Sequence, residues 1–402
     1  MQADLFTYRN PSASVQQGPL KGKSFVIQPN MSVRGWHTDA SSVALKGFVA
    51  VEDATVIERL KKAGAAMVGS TRMSELGLGL HGDTTGLALS GGETDMALMT
   101  DMMGEARITA SRIKTYGFKP TSGIVSRFGL IGLVPSMECF GIIARVPKDI
   151  SLAMETIASY DDRDFSMYSG EMPSFSQVTE TAEPITTIGI VKECLETLDE
   201  GETRAFRNGL DRLKVLGYAL NDLCLPDFDI VGTVHHIIGS VEASSSCGKY
   251  DGVRYGHRTA AAVKNWNDMY IKTRAESFGP LIKSYLFQGA YFQFENCAAF
   301  ENASRIRARL VNDLDGLFKK VDAIAIPTSR REFQAAARTL DDIYHECSLT
   351  LLANVTGLPA VQVPGLVLDG NTDLGLQIIG SRLSDARLLS LVARLSHTAE
   401  GV

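Results

Sequence analysis

The chain has 402 residues, 45% of them apolar and 21% charged, with a formal charge of −6 at pH 7. That balance supports a sizeable core and excludes wholesale disorder. The net negative charge argues against a basic face, so no direct nucleic-acid contact is expected.

Residues 1–20 read as a polar, loosely held tail, followed by a single domain over 21–402. Ser24–Ile27 reads as a buried strand, stopped by Pro29. Residues 53–64 predict a helix: Val56, Leu60 and Ala63 share a face, Asp53 fits the N-cap, and Gly64 fits the stop. Ala65–Ser70 then reads as a strand, and strand–helix–strand is the α/β rhythm. Residues 78–120 read as a glycine-rich loop, a second polar loop and a buried segment ending at Gly117–Thr121. Loops of that kind present backbone N–H groups to a ligand.

Short glycine-punctuated turns follow over Ile124–Val134, then a helix over Pro147–Ile157 and a polar excursion over 161–183. Thr187–Val191 reads as a strand and Glu200–Leu216 as an amphipathic helix. Residues 227–242 mix β-branched and small types, and 266–297 read as helical. Phe300–Leu317 reads as a long helix with arginines on its outer face. Val321–Ile326, Leu349–Leu352, Ala360–Val363 and Leu374–Ile379 close the sheet, and Ser384–Ser396 is a last helix.

Cys139, Cys194, Cys224, Cys247, Cys297 and Cys347 contain no CxxC pair. That speaks against a zinc site or disulfide framework and for free thiols in a reducing compartment. No signal-peptide run and no stretch of about 18 apolar residues is present, so a cytoplasmic chain without a membrane span is expected.

Several stretches taken together resemble the amidase signature family. They include LKGKSFVI, DATVIERLKKAGAAMVGSTRMSELGLG, YGFKPTSGIVSRFGLIGLVPSMECFGIIAR and ANVTGLPAVQVPG. Within that family, VEASSSCGKYDGVRYGHR resembles the A-subunit branch of the tRNA amidotransferases. The resemblance runs from about Leu20 to the C-terminus. It implies an α/β/α domain around a large mixed sheet, with no cofactor. It also implies amide hydrolysis by a Ser–Ser–Lys triad. A neutral lysine takes a proton through a bridging serine, a second serine attacks, and N–H groups of a glycine-rich turn hold the oxyanion.

Carried over residue by residue, the family lysine falls on Gln28 and the bridging serine near His81. The nucleophile falls on Glu105, which ends the run Thr100-Asp101-Met102-Met103-Gly104-Glu105. An amide side chain has no useful basicity. A carboxylate is a poor nucleophile toward an amide, and its charge repels an oxyanion. In the substrate pocket, Tyr285 stands at the arginine position, Cys347 at the acid and His235 at the tyrosine. The two lost charge-assisted contacts are worth about 1.5–3 kcal/mol each. Asp101 and Arg107 match the family pattern and are expected to support the turn, and Asp101, Gly104, His235, Tyr285 and Cys347 are the candidates for lining a ligand pocket.

The resulting expectation is a degenerate, non-hydrolytic amidase-signature chain that binds a protein partner, a second copy or a small-molecule ligand. Two alternatives stand beside it. One is new acid–base or nucleophilic chemistry through a His81–Glu105 or Cys347–His235 pair. The other is an authentic hydrolase using residues such as Ser90 or Ser111, with Ser90 or Thr85 near the bridging position. His81 with Glu105 lacks metal-ligand spacing, so no metal is expected. His235 and His236 would point apart in a strand, which argues against joint chelation.

Overall fold

The computed structural model describes residues 4–11, 17–175, 183–254, 256–331, 339–369 and 372–399. Its strands are β1 (Phe6–Arg9), β2 (Ser24–Ile27), β3 (Ala66–Thr71), β4 (Met96–Asp101), β5 (Tyr116–Lys119), β6 (Cys139–Ala144), β7 (Thr187–Val191), β8 (Ala219–Leu223), β9 (Ala323–Pro327) and β10 (Ala360–Val363), then the small pair β11 (Leu368–Asp369) and β12 (Thr372–Asp373), and β13 (Leu376–Gly380). All but β11 and β12 form one sheet in the order β1-β3-β2-β4-β6-β5-β10-β13-β9-β7-β8. Pairing is parallel for β2 with β3 and β4, and for β7 with β8 and β9. From β4 through β6, β5, β10 and β13 to β9 it is antiparallel.

The helices are α1 (Thr55–Lys62), α2 (Thr85–Ser90), α3 (Glu105–Arg112), α4 (Pro147–Ile157), α5 (Lys192–Glu196), α6 (Glu200–Val215), α7 (Val231–Ser246), α8 (Trp266–Ser277), α9 (Pro280–Phe294), α10 (Cys297–Leu317), α11 (Leu340–Cys347), α12 (Leu351–Thr356) and α13 (Asp385–Ala399). They cover both faces of the sheet. Strand alternation sends Ala97 and Met99 of β4 into one core, shared with α3, α7, α9, α10 and α12. Met96 and Leu98 enter the other core, with α1, α4, α6 and α13. A strand buried on both faces reads as a continuous apolar run, as β4 does. Each buried Met or Leu of the strand contributes about 1.5–3 kcal/mol. The expected α/β architecture, a large mixed sheet flanked by helices on both faces, is what the structure has.

Several local expectations need correction. Residues 6–9 of the tail are β1, paired antiparallel with β3, and Leu20 is fully buried. Asp53 does not cap α1; Ala54 holds that position, and Asp53 takes the Arg34 N–H and the Lys61 ammonium. The stretch 78–120 is not two loops: it holds α2, β4 and α3. Leu349–Leu352 is not a strand but leads into α12, and 227–242 belongs mostly to α7. A short apolar run looks alike in a buried strand and a buried helix, because a helix with no solvent face shows no amphipathic period. The segment 266–297 is broken at Gly279, with Pro280 starting α9, where its missing N–H costs nothing. Part of the 161–183 excursion, residues 176–182, lies outside the described residues. No described helix is long and apolar enough to cross a membrane. Among the described residues, no three His, Cys, Asp or Glu side chains gather as a metal site, and all six cysteines are free.

Candidate functional site

The turn Met102-Met103-Gly104 joins the end of β4 to the first residue of α3, Glu105. Gly104 sits at φ 107°, and a Cβ there would lie 2.1 Å from Thr350 Oγ1. Only glycine takes that conformation against that neighbour. The Thr350 hydroxyl closes the turn, 2.5 Å from the Met103 carbonyl. Glu105 folds back into the turn it follows. Its Oε2 accepts the N–H groups of Met102 and Met103, each at 2.7 Å. The side chain is 2% exposed, and Oε1 has no partner among the described residues. Burial, and then the neighbouring Asp101 carboxylate, push the Glu105 carboxyl up to about 8, against the pull of the two N–H groups.

Asp101 and Arg107 form the frame beneath. Both are fully buried, with two parallel contacts at 2.8 and 3.1 Å. The guanidinium also meets the Thr350 carbonyl at 3.0 Å and the side-chain oxygens of Gln377 and Asn354. Asn354 Nδ2 returns to the Asp101 carboxylate at 2.9 Å. Burial alone would raise Asp101, but Arg107 holds it below its ordinary value. This is a satisfied buried ion pair that ties β4, α3, α12 and β13 together.

Gln28, just past β2, is tied at both ends. Its Nε2 donates to Asp83 Oδ2 at 2.6 Å, and its Oε1 accepts the Thr100 N–H at 2.8 Å. Asp83 in turn accepts the Thr85 N–H at 2.7 Å, and burial raises its carboxyl. The Thr85 hydroxyl lies 2.8 Å from that of Thr71.

On the other side of the turn, α7, α9 and α11 build an aromatic stack. His235 Nε2 lies 3.1 Å from the Met102 carbonyl and Nδ1 3.0 Å from the Tyr344 hydroxyl. A carbonyl only accepts, so Nε2 carries the proton and Nδ1 accepts from Tyr344. Burial drives His235 down to about 3, which matches the neutral ring. The Tyr344 oxygen is then free to accept from Tyr285 at 3.2 Å. The chain Tyr285, Tyr344, His235, Met102 carbonyl thus runs one way. Tyr285 is fully buried, and a Cβ on Gly239 would lie 2.3 Å from its hydroxyl. His236 stacks on Tyr344, with ring centroids 4.7 Å apart. The two histidines lie on a helix rather than a strand, and both turn toward the same tyrosine. Cys347 is buried nearby, and burial, then Glu105, raise its thiol well above its ordinary value.

His81 lines a cleft of about 90 Å³ with Glu75, Leu78 and the start of α9, and burial lowers its pKa. Among the other candidates, Ser90 Oγ is exposed and bonds back to the Leu87 carbonyl. Ser111 is buried against Ser329 Oγ at 3.0 Å. The buried Lys119 ammonium donates to the carbonyls of Pro120 and Leu358, each at 2.9 Å. The structure therefore brings Asp101, Gly104, Glu105, His235, Tyr285 and Cys347 to one buried turn, with Gln28 beside β4 and His81 in the cleft by Glu75 and the start of α9. The sequence reading missed Asp83, Tyr344, Thr350, Asn354 and Gln377. For Thr350 and Asn354 a signal existed: two polar residues four apart inside the apolar run TLLANVTG, where burial demands partners.

Comparison with known proteins bears on this site. The Amidase family profile matches residues 3–87 and 85–389. The A subunit of the glutamyl-tRNA(Gln) amidotransferase of a Picosynechococcus species is 33% identical over 406 residues, 93% of this chain and 83% of the relative. The crystal structure of the A subunit of the Thermotoga maritima glutamyl-tRNA(Gln) amidotransferase superposes with a TM-score of 0.79 at 25% identity, covering 97% of this chain and 86% of that one. A chain from a vestigial protein complex connected with the origins of an s-triazine catabolic enzyme has a TM-score of 0.81 at 19% identity, covering 98% and 91%, a likeness of fold alone. The fold, the family profile and the relatives agree: the chain belongs to the amidase family.

Proposed function

We propose that this chain is a non-hydrolytic member of its family, a binding or accessory subunit related to the A subunits of glutamyl-tRNA(Gln) amidotransferase. The observation that carries the reading is Glu105 Oε2 sitting 2.7 Å from both the Met102 and Met103 N–H groups. In the family's chemistry, donors of that turn stabilise the charge that develops on the substrate carbonyl oxygen. Here the chain's own carboxyl occupies them. Two further features support the reading. The residue at the lysine position, Gln28, has no basic amine and spends both ends of its amide on Asp83 and Thr100. Tyr285 and His235 fill the pocket side of the turn.

The word subunit in the relatives' name supports a protein partner for this chain as well, with the chain from β1 onward acting as one domain. Free thiols and an acidic composition fit the cytoplasm. The test is ammonia release from L-glutamine, L-asparagine and an aryl amide by the purified chain. No turnover above a heat-denatured control is expected. Turnover that disappears in Ser90→Ala or Ser111→Ala would overturn the reading.

A further inference from the structure

A cavity of about 190 Å³ lies where three separate stretches of the chain meet. Leu45, Phe48, Leu130, Ile131 and Tyr250 wall it. The walls are pinned by backbone hydrogen bonds. Ser32 donates its N–H to the Gly129 carbonyl at 2.9 Å, and Ile131 donates to the Asn30 carbonyl at 2.8 Å. Phe48 donates to the Leu45 carbonyl at 2.9 Å. Tyr250 is buried and stands edge-on to Phe278, with ring centroids 6.0 Å apart. An apolar cavity that is already formed needs no ordering when a ligand enters. One of about 150 Å³ is enough to admit a benzene ring.

One charge lines this cavity, that of Lys249. The side chain is half-buried, and its ammonium lies 5.3 Å from the centroid of the Tyr250 ring. No described carboxylate forms an ion pair with it. Ser32 also lines the cavity, and its hydroxyl makes no hydrogen bond with a described residue. A cation beside an apolar cavity, without a counter-ion of its own, selects a ligand that brings one. A phosphate dianion would call for several donors, and the volume leaves no room for a nucleotide. One ammonium and one hydroxyl suit a single carboxylate.

We infer that this cavity binds a small monocarboxylic acid with an apolar body about the size of a benzene ring. The body lies among Leu45, Phe48, Leu130 and Ile131, and the carboxylate meets the Lys249 ammonium. The site does not depend on whether the chain hydrolyses amides, so its failure and the failure of the proposed function are separate results.

Titration of the full chain with phenylacetate, followed by saturation-transfer NMR, tests it. Saturable binding is expected, with a dissociation constant in the millimolar range or below. Phenylethanol has the same ring without the charge and should bind about tenfold more weakly or worse. Lys249→Met keeps the apolar stem and removes the ammonium. It should lose about the same factor for phenylacetate, leave phenylethanol unchanged, and melt as the wild type does, since the position is half-buried. Lys249→Arg should retain most of the phenylacetate affinity. Inorganic phosphate should not displace phenylacetate. The inference is overturned by the absence of saturable binding, by equal affinity for the acid and the alcohol, by a Lys249→Met chain that binds phenylacetate as the wild type does, or by displacement with phosphate.

Discussion

Among single residues Glu105 matters most, and its buried carboxyl has a thermodynamic signature. A free glutamate titrates near 4.5, whereas this one is pushed up to about 8. Between those values the native state holds a proton that the unfolded chain has released. Stability therefore falls as pH rises from about 4.5 to 8 and stays lowered above. Moving a titration midpoint by one pH unit corresponds to about 1.4 kcal/mol, so the effect is on the order of a few kcal/mol. Glu105→Gln keeps an acceptor for the Met102 and Met103 N–H groups and removes the titration. Its melting temperature should gain on the wild type steadily from pH 5 to pH 8; a gap that does not change with pH would contradict the burial argument. Arg107 gives the opposite case. Arg107→Met leaves Asp101 charged and alone in the core, which costs about 3–5 kcal/mol in urea unfolding. Adding Asp101→Leu should recover much of that loss.

Among the elements, the β4–α3 turn is held from outside by α12. Thr350 reaches across to Met103, and the space a Cβ would need at Gly104 is already filled by Thr350. Gly104→Ala must shift α12 as well as strain its own backbone, so a loss of about 1–3 kcal/mol or more is expected from thermal unfolding. A neutral result would mean that the turn is looser than described. This is also the scale at which the sequence was least legible. Strands with a plain apolar run and a clear stop, Ser24–Ile27, Thr187–Val191 and Ala360–Val363, were readable to the residue. α3 and α12 were not, because nearly every residue in them is buried and no polar face announces a helix. His235 and His236 were placed by assuming a strand, and on α7 both rings converge on Tyr344 instead.

For the whole molecule, motif resemblance carried what periodicity did not. It put the β4–α3 turn at 100–105 and drew attention to positions 235, 285 and 347, which lie far apart in the chain, and the fold sets His235 and Tyr285 around Tyr344 beside that turn. The resemblance said nothing of where the Glu105 side chain points, since a backbone turn looks the same whatever fills it. His81, which an ungapped register put at the bridging position, lines a cleft with Glu75 and the start of α9. The most direct test of a turn plugged by its own carboxyl is intact-mass spectrometry of the chain quenched during incubation with glutamine γ-hydroxamate and an aryl amide. A plugged turn predicts an unmodified mass at every time point. A stoichiometric acyl adduct that maps to one serine, and is lost when that serine becomes alanine, would contradict it.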